Sequence, residues 1–266
     1  MTLHCGLIGD PVEHSISPGI HHAFAAQTGV DLKYRKLRCN SDELAATVEQ
    51  FFAEGGRGLN VTLPHKLAVM ALCSDVSQAA QRAQSVNTLY ARDGGGVEGS
   101  STDGDGLVAD LRRLGAPLTG ARIALIGAGG AARAVVEPLL SAQPAELVWS
   151  HRNPLKLEQP VADFAGLGPL RPCANLALKG DRFDLVIHAT SAGHAGQVPM
   201  LPHGLFAEGG WAYDLSYGQP AQPYLNWAEG EGAARVIDGH GMLIEQAALS
   251  FALWTGQHPD TAPLHR

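Results

Sequence analysis

The feature that most constrains this chain is a glycine turn between an apolar segment and a segment with helical character. Residues 121–140 read ARIALIGAGGAARAVVEPLL. Residues 123–126 form a short apolar run suited to a buried strand, and the residues that follow the glycines suit a helix. A strand, a tight glycine turn and a helix in this order form the beginning of a parallel α/β unit.

The turn itself, GAGGAA at residues 127–132, fits the pattern G-x-G-x-x-G/A with Gly127, Gly129 and Ala132 at the key positions. Glycine lets the backbone approach a pyrophosphate, whose charge is then favoured by the N-terminus of the following helix. In this context the pattern predicts a dinucleotide site rather than a structural turn alone, and Pro138 inside the helix predicts a kink. The predicted cofactor-binding residues here are Gly127, Ala128, Gly129, Gly130 and Ala131.

The next predicted strand ends in LVWSHRNPLK, where enzymes that use NAD usually carry an acid to bind the ribose 2′-hydroxyl. No acid occurs before Glu158. Arg152 can bind a 2′-phosphate through paired N–H donors, and Lys156 can act as a point charge, although an exposed basic turn is the alternative. The sequence therefore favours NADP(H) over NAD. The predicted contacts are His151, Arg152, Asn153 and Lys156.

The rest of the chain alternates in the same way between strand and helix patterns, which predicts two α/β units with a boundary near residue 105. In the first half, strands are expected at 3–9, 32–38 and 58–64, helices near 18–28, 40–56 and 65–84, and a hairpin over 86–104. Later strands are expected at ELVWSHR, DLVIHAT, WAYDLS and ARVIDG, followed by the apolar helix GMLIEQAALSFALWTG. That last helix can return to pack on the first unit.

Composition excludes several classes of function. A hydrophobic fraction of 45% with 17% charged residues indicates a globular protein with a core. No apolar run reaches membrane-spanning length and the N-terminus lacks signal-peptide features, so we expect a cytoplasmic protein with no membrane partner. A net charge of −7 without a basic block argues against nucleic acid. The four cysteines are scattered and no H-E-x-x-H occurs, so no metal is predicted.

Several separated segments together resemble one family. They are HSISP at 14–18, NVTLPHK at 60–66, VNT at 86–88, STDG at 101–104, GAGGAAR at 127–133 and DGHGMLIEQAA at 238–248. Occurring in this order over essentially the whole chain, they closely resemble the shikimate dehydrogenases. The resemblance implies reversible, NADPH-dependent reduction of 3-dehydroshikimate to shikimate, in aromatic amino-acid biosynthesis. We expect a small-molecule substrate (shikimate or 3-dehydroshikimate) and a monomer or homodimer. It also implies a substrate domain of residues 1–105 plus 238–266 and a Rossmann-type, parallel-sheet NADP domain of residues 106–237.

The resemblance also implies roles for individual residues. Lys66 matches the family's catalytic lysine, which handles the proton on the C3 oxygen, and Asp103 matches its partner, which orients the amine and stabilises its ammonium form. An ion pair without chemistry is the alternative for these two. Ser15 and Ser17 match the serines that hold the substrate carboxylate. Further matching substrate contacts are Asn60, Thr62, Asn87, Tyr217 and Gln246, and further matching cofactor contacts are Leu215 and Gly239.

Four positions depart from the residues usual in the family that the chain resembles: His65 replaces an aromatic or apolar residue, Ser101 and His188 stand where Asn is common, and His240 replaces an apolar residue. The first two flank the proposed lysine and aspartate, so substrate range and pH profile are open. Two alternatives therefore stand beside the main interpretation. One is a paralogue that oxidises quinate or uses NAD, and the other is a regulator that binds pathway metabolites without turnover.

Overall fold

The computed structural model describes residues 2–265, which form two compact units with separate sheets and cores. The first unit comprises residues up to 106 and from 243 onward, and the second unit comprises residues 107–242. The sequence prediction had set these boundaries after residues 105 and 237. Within residues 2–265, no helix has both the length and the apolar character needed to cross a membrane.

The first unit is built around a mixed six-stranded sheet. Its elements up to the hairpin are β1 (Leu3–Gly9), α1 (Ser17–Thr28), β2 (Leu32–Arg38), α2 (Leu44–Ala53), β3 (Gly58–Val61), β4 (Asp75–Val76), α3 (Gln78–Ala83), β5 (Thr88–Ala91) and β6 (Val97–Ser100). The strand order is β2-β1-β3-β5-β6-β4. Strand β1 pairs in parallel with β2 and β3, and the predicted hairpin β5–β6 is antiparallel.

One local prediction in this unit was wrong. The segment 65–84 is not one helical stretch but a 3-10 turn over Ala68–Leu72, the short strand β4 and the helix α3. Asp75 and Val76 pair with Glu98 and Gly99, and this long-range pairing with β6 interrupts the helical pattern. The Ser77 hydroxyl then accepts from the Ala80 amide and begins α3.

Two long helices are shared between the units: α4 (Asp103–Leu114) begins in the first unit and continues into the second, and α8 (His240–Thr255) begins in the second. From Leu243 onward α8 belongs to the first unit, where Phe251 packs with Phe24 of α1 and Trp254 packs with Tyr34 of β2. The C-terminal helix thus buries its large apolar side chains against α1 and the first sheet.

The second unit contains a parallel sheet. Its elements between α4 and α8 are β7 (Arg122–Ile126), α5 (Gly130–Ser141), β8 (Glu146–His151), α6 (Glu158–Asp163), β9 (Leu170–Ala174), β10 (Phe183–His188), β11 (Phe206–Asp214), α7 (Gln222–Gly230) and β12 (Arg235–Ile237). The strand order is β12-β11-β10-β7-β8-β9, and every neighbouring pair is parallel. This order is that of a Rossmann fold, so the predicted α/β fold class is confirmed.

Two details of this unit differ from the sequence pattern. The edge strand β9, LRPCA, was not predicted, because Arg171 and Pro172 interrupt the apolar pattern that would indicate a strand. Helix α5 continues through Pro138 to Ser141, so the proline lies in its final turn. The parallel arrangement brings the carboxyl ends of β7, β8, β10 and β11 to one edge of the sheet, where ligands of this fold bind.

Candidate active site

The first unit brings Lys66 and Asp103 into direct contact. Lys66 lies in the turn after β3, and Asp103 is the first residue of α4. The Lys66 Nζ donates to Asp103 Oδ2 at 2.5 Å, and the two side chains are 17% and 7% exposed. A nearly buried carboxylate therefore orients an amine that remains partly accessible to a ligand.

Asn87 holds the other oxygen of the same carboxylate. Its Nδ2 donates to Asp103 Oδ1 at 2.7 Å, while its Oδ1 accepts from the backbone amide of Thr102 at 2.8 Å. The backbone N–H can only donate and the carboxylate oxygen accepts, so these two contacts determine which way the amide of Asn87 points. Both carboxylate oxygens of Asp103 thus have a donor. The hydrogen bond from Asn87 fixes the carboxylate, and the carboxylate in turn orients the Lys66 amine.

A buried polar group on α8 continues this network. Ser250 is fully buried, and its Oγ lies 2.8 Å from Thr88 Oγ1 and 3.2 Å from Thr102 Oγ1. It also accepts from Asn60 Nδ2 at 3.0 Å and donates to the carbonyl of Gln246 at 3.1 Å. Ser250 and Thr88 were not predicted as part of the site. The sequence gives no local signal for Ser250, because α8 also carries other polar residues, among them Glu245 and Gln246.

The amide of Asn60 lies at the far side of the network. Its Oδ1 accepts from Tyr34 OH at 2.8 Å and lies 3.0 Å from Nε2 of His21, whose ring stacks on Tyr34. Burial lowers the pKa of His21 to about 3, so this imidazole is neutral at physiological pH. Protein groups occupy the donors and acceptors of Asn60, including the carbonyl of Asn87 at 3.4 Å. Direct contact between Asn60 and substrate stays a prediction.

The other predicted substrate residues of the first unit lie at its loops and on α8. Ser15 Oγ donates to Ser17 Oγ at 3.1 Å, so the two serines form one polar pair at the start of α1. Thr62 is half-buried just after β3. Gln246 accepts from Asn87 Nδ2 at 3.1 Å through Oε1. Tyr217 belongs to the second unit and is half-buried there.

The glycine turn of the second unit fits a dinucleotide phosphate. Gly127 has φ +128°, and a Cβ at this position would lie 2.4 Å from the carbonyl oxygen of Ala189. Gly129 is the N-cap of α5, makes no side-chain cap and has open space where a Cβ would stand. The first turn of α5 contains no acidic residue. The Gly127 amide donates to the carbonyl of Ser150 at 2.8 Å, so the N–H groups that suit an anion are those at the start of α5.

The residues after β8 add positive charge at the same edge of the sheet. Arg152 and Lys156 are exposed, and within residues 2–265 neither forms an ion pair with an acidic side chain. Asn153 Oδ1 accepts from the amide of Leu155, and His151 Nδ1 lies 2.9 Å from the carbonyl of Asn153, so the turn is ordered by its own side chains. Two cations without acidic partners suit a 2′-phosphate.

Leu215 and Gly239 follow the carboxyl ends of β11 and β12, and their backbones lie close together. The Leu215 amide donates to the carbonyl of His188 at 2.9 Å, and a Cβ on Gly239 would lie 2.3 Å from the Leu215 carbonyl oxygen. Glycine at position 239 therefore permits this close approach of two backbone segments. In the described part of the chain, no group of three His, Cys, Asp or Glu side chains is arranged to hold a metal.

Three of the four departures from the family's usual residues have defined surroundings in the structure. His65 points inward, and its Nε2 donates to the carbonyl of Cys39 at 2.8 Å. The Ser101 hydroxyl is buried and has no hydrogen-bond partner within residues 2–265. The backbone amide of His240 donates to Asp238 Oδ1 at 3.1 Å. None of these contacts reaches Lys66 or Asp103. The fourth, His188, is buried at the end of β10.

Comparison with known proteins identifies the family. Residues 7–89 match the family model described as the shikimate dehydrogenase substrate binding domain, and residues 239–266 match the shikimate 5′-dehydrogenase C-terminal domain. A curated relative from Methylococcus capsulatus, named shikimate dehydrogenase (NADP(+)), is 45% identical over 97% of this chain and 93% of its own length.

Solved structures agree with this similarity. An Ael1 enzyme from Pseudomonas putida superposes with a TM-score of 0.91 at 40% identity and covers 98% of this chain and 96% of its own. Shikimate 5-dehydrogenase from Thermus thermophilus, solved in complex with NADP(H) and shikimate, has a TM-score of 0.83 at 32% identity with the same coverage. The chain therefore belongs to the shikimate dehydrogenase family.

Proposed function

We propose that this protein catalyses the reversible, NADPH-dependent reduction of 3-dehydroshikimate to shikimate, a step of aromatic amino-acid biosynthesis. The observation that carries the proposal is the contact between Lys66 and Asp103, whose carboxylate also accepts a hydrogen bond from Asn87. The many named relatives with this activity support the same reaction, and no observation favours quinate or NAD as the preferred substrate or cofactor.

In this proposal Lys66 is the proton donor to the C3 oxygen. The bound nicotinamide supplies the hydride for C3 when the ketone is reduced. The developing negative charge on the oxygen then needs one proton, and the Nζ of Lys66 is the partly exposed donor that the site offers. Asp103 orients this donor and compensates its charge, and Asn87 keeps the carboxylate in place.

The polar side chains of the first unit suit recognition of a hydroxylated ring acid. Hydroxyl groups are distinguished by directional hydrogen bonds, because a site built for them leaves buried polar groups unpaired with the wrong ligand. We assign the carboxylate of the substrate to the paired hydroxyls of Ser15 and Ser17. Thr62, Asn87 and Gln246 are the proposed contacts of the ring hydroxyls, with Tyr217 from the second unit and Asn60 as further candidates.

For the second unit we propose the binding of NADP(H). Residues 127–131 would hold the pyrophosphate, and Arg152 and Lys156 would hold the 2′-phosphate, with His151 and Asn153 shaping that turn. Leu215 and Gly239 are the proposed contacts of the nicotinamide end. We further propose that the protein acts in the cytoplasm on a small-molecule substrate alone, without nucleic acid, as a monomer or homodimer.

A spectrophotometric assay of the purified protein tests the reaction. We expect formation of NADPH from NADP with shikimate, and slower turnover with quinate or with NAD. Faster turnover of quinate with NAD would contradict the assignment in favour of a paralogue. Stabilisation of the fold by shikimate without any NADPH formation would contradict it in favour of a metabolite-binding regulator.

A further inference from the structure

A buried histidine–aspartate pair joins the ends of two central strands of the second unit. His188 is the last residue of β10, Asp214 is the last residue of β11, and neither side chain is exposed. The His188 Nδ1 lies 2.8 Å from Asp214 Oδ2. Because a carboxylate only accepts hydrogen bonds, Nδ1 carries the hydrogen of this contact. Asp214 Oδ1 accepts in addition from the amide of Ser216 at 2.8 Å.

The second nitrogen of the same ring holds a threonine hydroxyl. The His188 Nε2 lies 2.6 Å from Thr190 Oγ1, which also accepts from the amide of Ala192 at 3.2 Å. A hydroxyl can donate or accept, so this contact is available in either protonation state of the imidazole. The ring is held in plane by stacking on Tyr224 at 4.7 Å between centroids. His188 thus links Asp214 and Thr190 through its two nitrogens.

The segment Ala189–Thr190 lies against the glycine turn. The amide of Ala189 donates to the carbonyl of Ile126 at 2.8 Å, which places the segment after β10 beside the end of β7. A Cβ on Gly127 would lie 3.1 Å from Thr190 Cγ2 as well as 2.4 Å from the Ala189 carbonyl oxygen. Any displacement of Thr190 would therefore change the space around the first glycine of the turn.

We propose that His188 is a positioning residue for the nucleotide site, fixing Thr190 and the segment behind Gly127 through its bond to Asp214. The inference rests on the proposed binding of NADP(H) to this unit. The same histidine also accepts the amide of Leu215 through its carbonyl, so it connects the two segments that would enclose the nucleotide. A preorganised site binds its ligand more tightly, because less order must be created on binding.

The residue common in the family at this position gives the matched variant. The side chain of asparagine is shorter than that of histidine, so His188→Asn can keep a donor near Asp214 but cannot reach Thr190 at the present distance. Thr190→Val removes the same hydrogen bond from the other side, together with the acceptor of the Ala192 amide, and keeps the volume of the side chain. If the link acts as one unit, both variants should weaken nucleotide binding and the double variant should add little to the effect of Thr190→Val.

The test is a titration of full-length protein with NADPH, followed by nucleotide fluorescence, for wild type, both single variants and the double variant. We expect each single variant to weaken NADPH binding about three- to tenfold, as for the loss of one hydrogen bond, and the double variant to bind as Thr190→Val does. The KM for shikimate at saturating NADP should stay close to the wild-type value. Thr119→Val, on an exposed threonine of the same unit, is the control and should bind as wild type does.

Two results would overturn the inference and leave the proposed function standing. Unchanged NADPH affinity in both single variants, including when their unfolding temperatures fall, would mean that the pair serves stability alone. Fully multiplicative effects in the double variant would mean that the two residues act independently. A wild-type protein that does not bind NADPH at all would instead refute the proposed function, and the inference with it.

Discussion

Replacement of Lys66 by methionine should slow the proposed reaction strongly while changing substrate affinity little. Methionine keeps the length of the apolar stem and removes the amine that contacts Asp103. Loss of a positioned general acid typically lowers kcat about 10²- to 10⁴-fold. This range corresponds to about 2.7–5.4 kcal/mol of activation free energy.

The structure also limits the cost of this change to folding. Without Lys66 the nearly buried carboxylate of Asp103 loses its cation but keeps the hydrogen bond from Asn87 Nδ2. Because Lys66 is itself partly exposed, we expect the free energy of unfolding to fall by less than about 3 kcal/mol, the lower end for breaking a buried pair. The variant should therefore fold and remain measurable.

The assay compares kcat and the KM for shikimate at saturating NADP, with denaturant unfolding measured on the same samples. Lys33→Met is the matched control, since Lys33 is an exposed lysine of the same unit, on β2, and should keep wild-type kinetics. A folded Lys66→Met variant that retains kcat within about threefold of wild type would refute proton transfer by this residue.

Three further predictions concern stability. Ser250→Ala leaves buried hydrogen-bonding partners unsatisfied and should lower the free energy of unfolding by about 1–3 kcal/mol; no change in a denaturant titration would contradict this. Gly127→Ala should cost about 1–3 kcal/mol through its backbone φ of +128°, with a further penalty from the Ala189 carbonyl oxygen; an unchanged unfolding temperature would show that the turn relaxes freely. Arg171 donates to Glu146 and lowers the pKa of that carboxyl. The resulting stabilisation is present above the unfolded pKa, about 4.3, and is lost as pH falls through the lower folded value. Arg171→Met should therefore reduce the loss of stability between neutral and acidic pH, and equal losses in both proteins would exclude this role.

The elements that could be predicted from sequence are those with strong local signals. Strands β1 and β2 begin and end at the predicted residues, because a short apolar or alternating run bounded by turn residues has few other solutions. The glycine turn was recognisable for the same reason: a positive φ at Gly127 and an uncapped helix after Gly129 are requirements of the backbone itself.

Short strands at sheet edges could not be predicted in this way. Strand β4 has two residues and exists because it pairs with β6, and β9 contains Pro172 and pairs with β8 at the edge of its sheet. These strands are too short to show a clear alternation of apolar and polar residues, and their conformation depends on pairing with a neighbouring strand. A helical pattern was therefore assigned where the chain changes from a 3-10 turn to a strand.

The buried contacts that hold the site in place could not be predicted from local sequence patterns either. Thr88 and Ser250 are 162 positions apart in the chain, yet their hydroxyls lie 2.8 Å apart in the core of the first unit. The two ends of the His188–Asp214 pair lie on different strands and meet because those strands are parallel neighbours. Such contacts depend on packing of whole elements rather than on the residues beside them.

The sequence alone thus determined the order of the longer strands and helices and the place of the phosphate turn, since each depends on backbone requirements within a few residues, and its resemblance to a family indicated the candidate amine and carboxylate. Only the tertiary structure decided which buried groups hold those candidates in place. A buried donor or acceptor must find a partner wherever the chain supplies one, and sheet order and helix packing bring that partner within hydrogen-bonding distance.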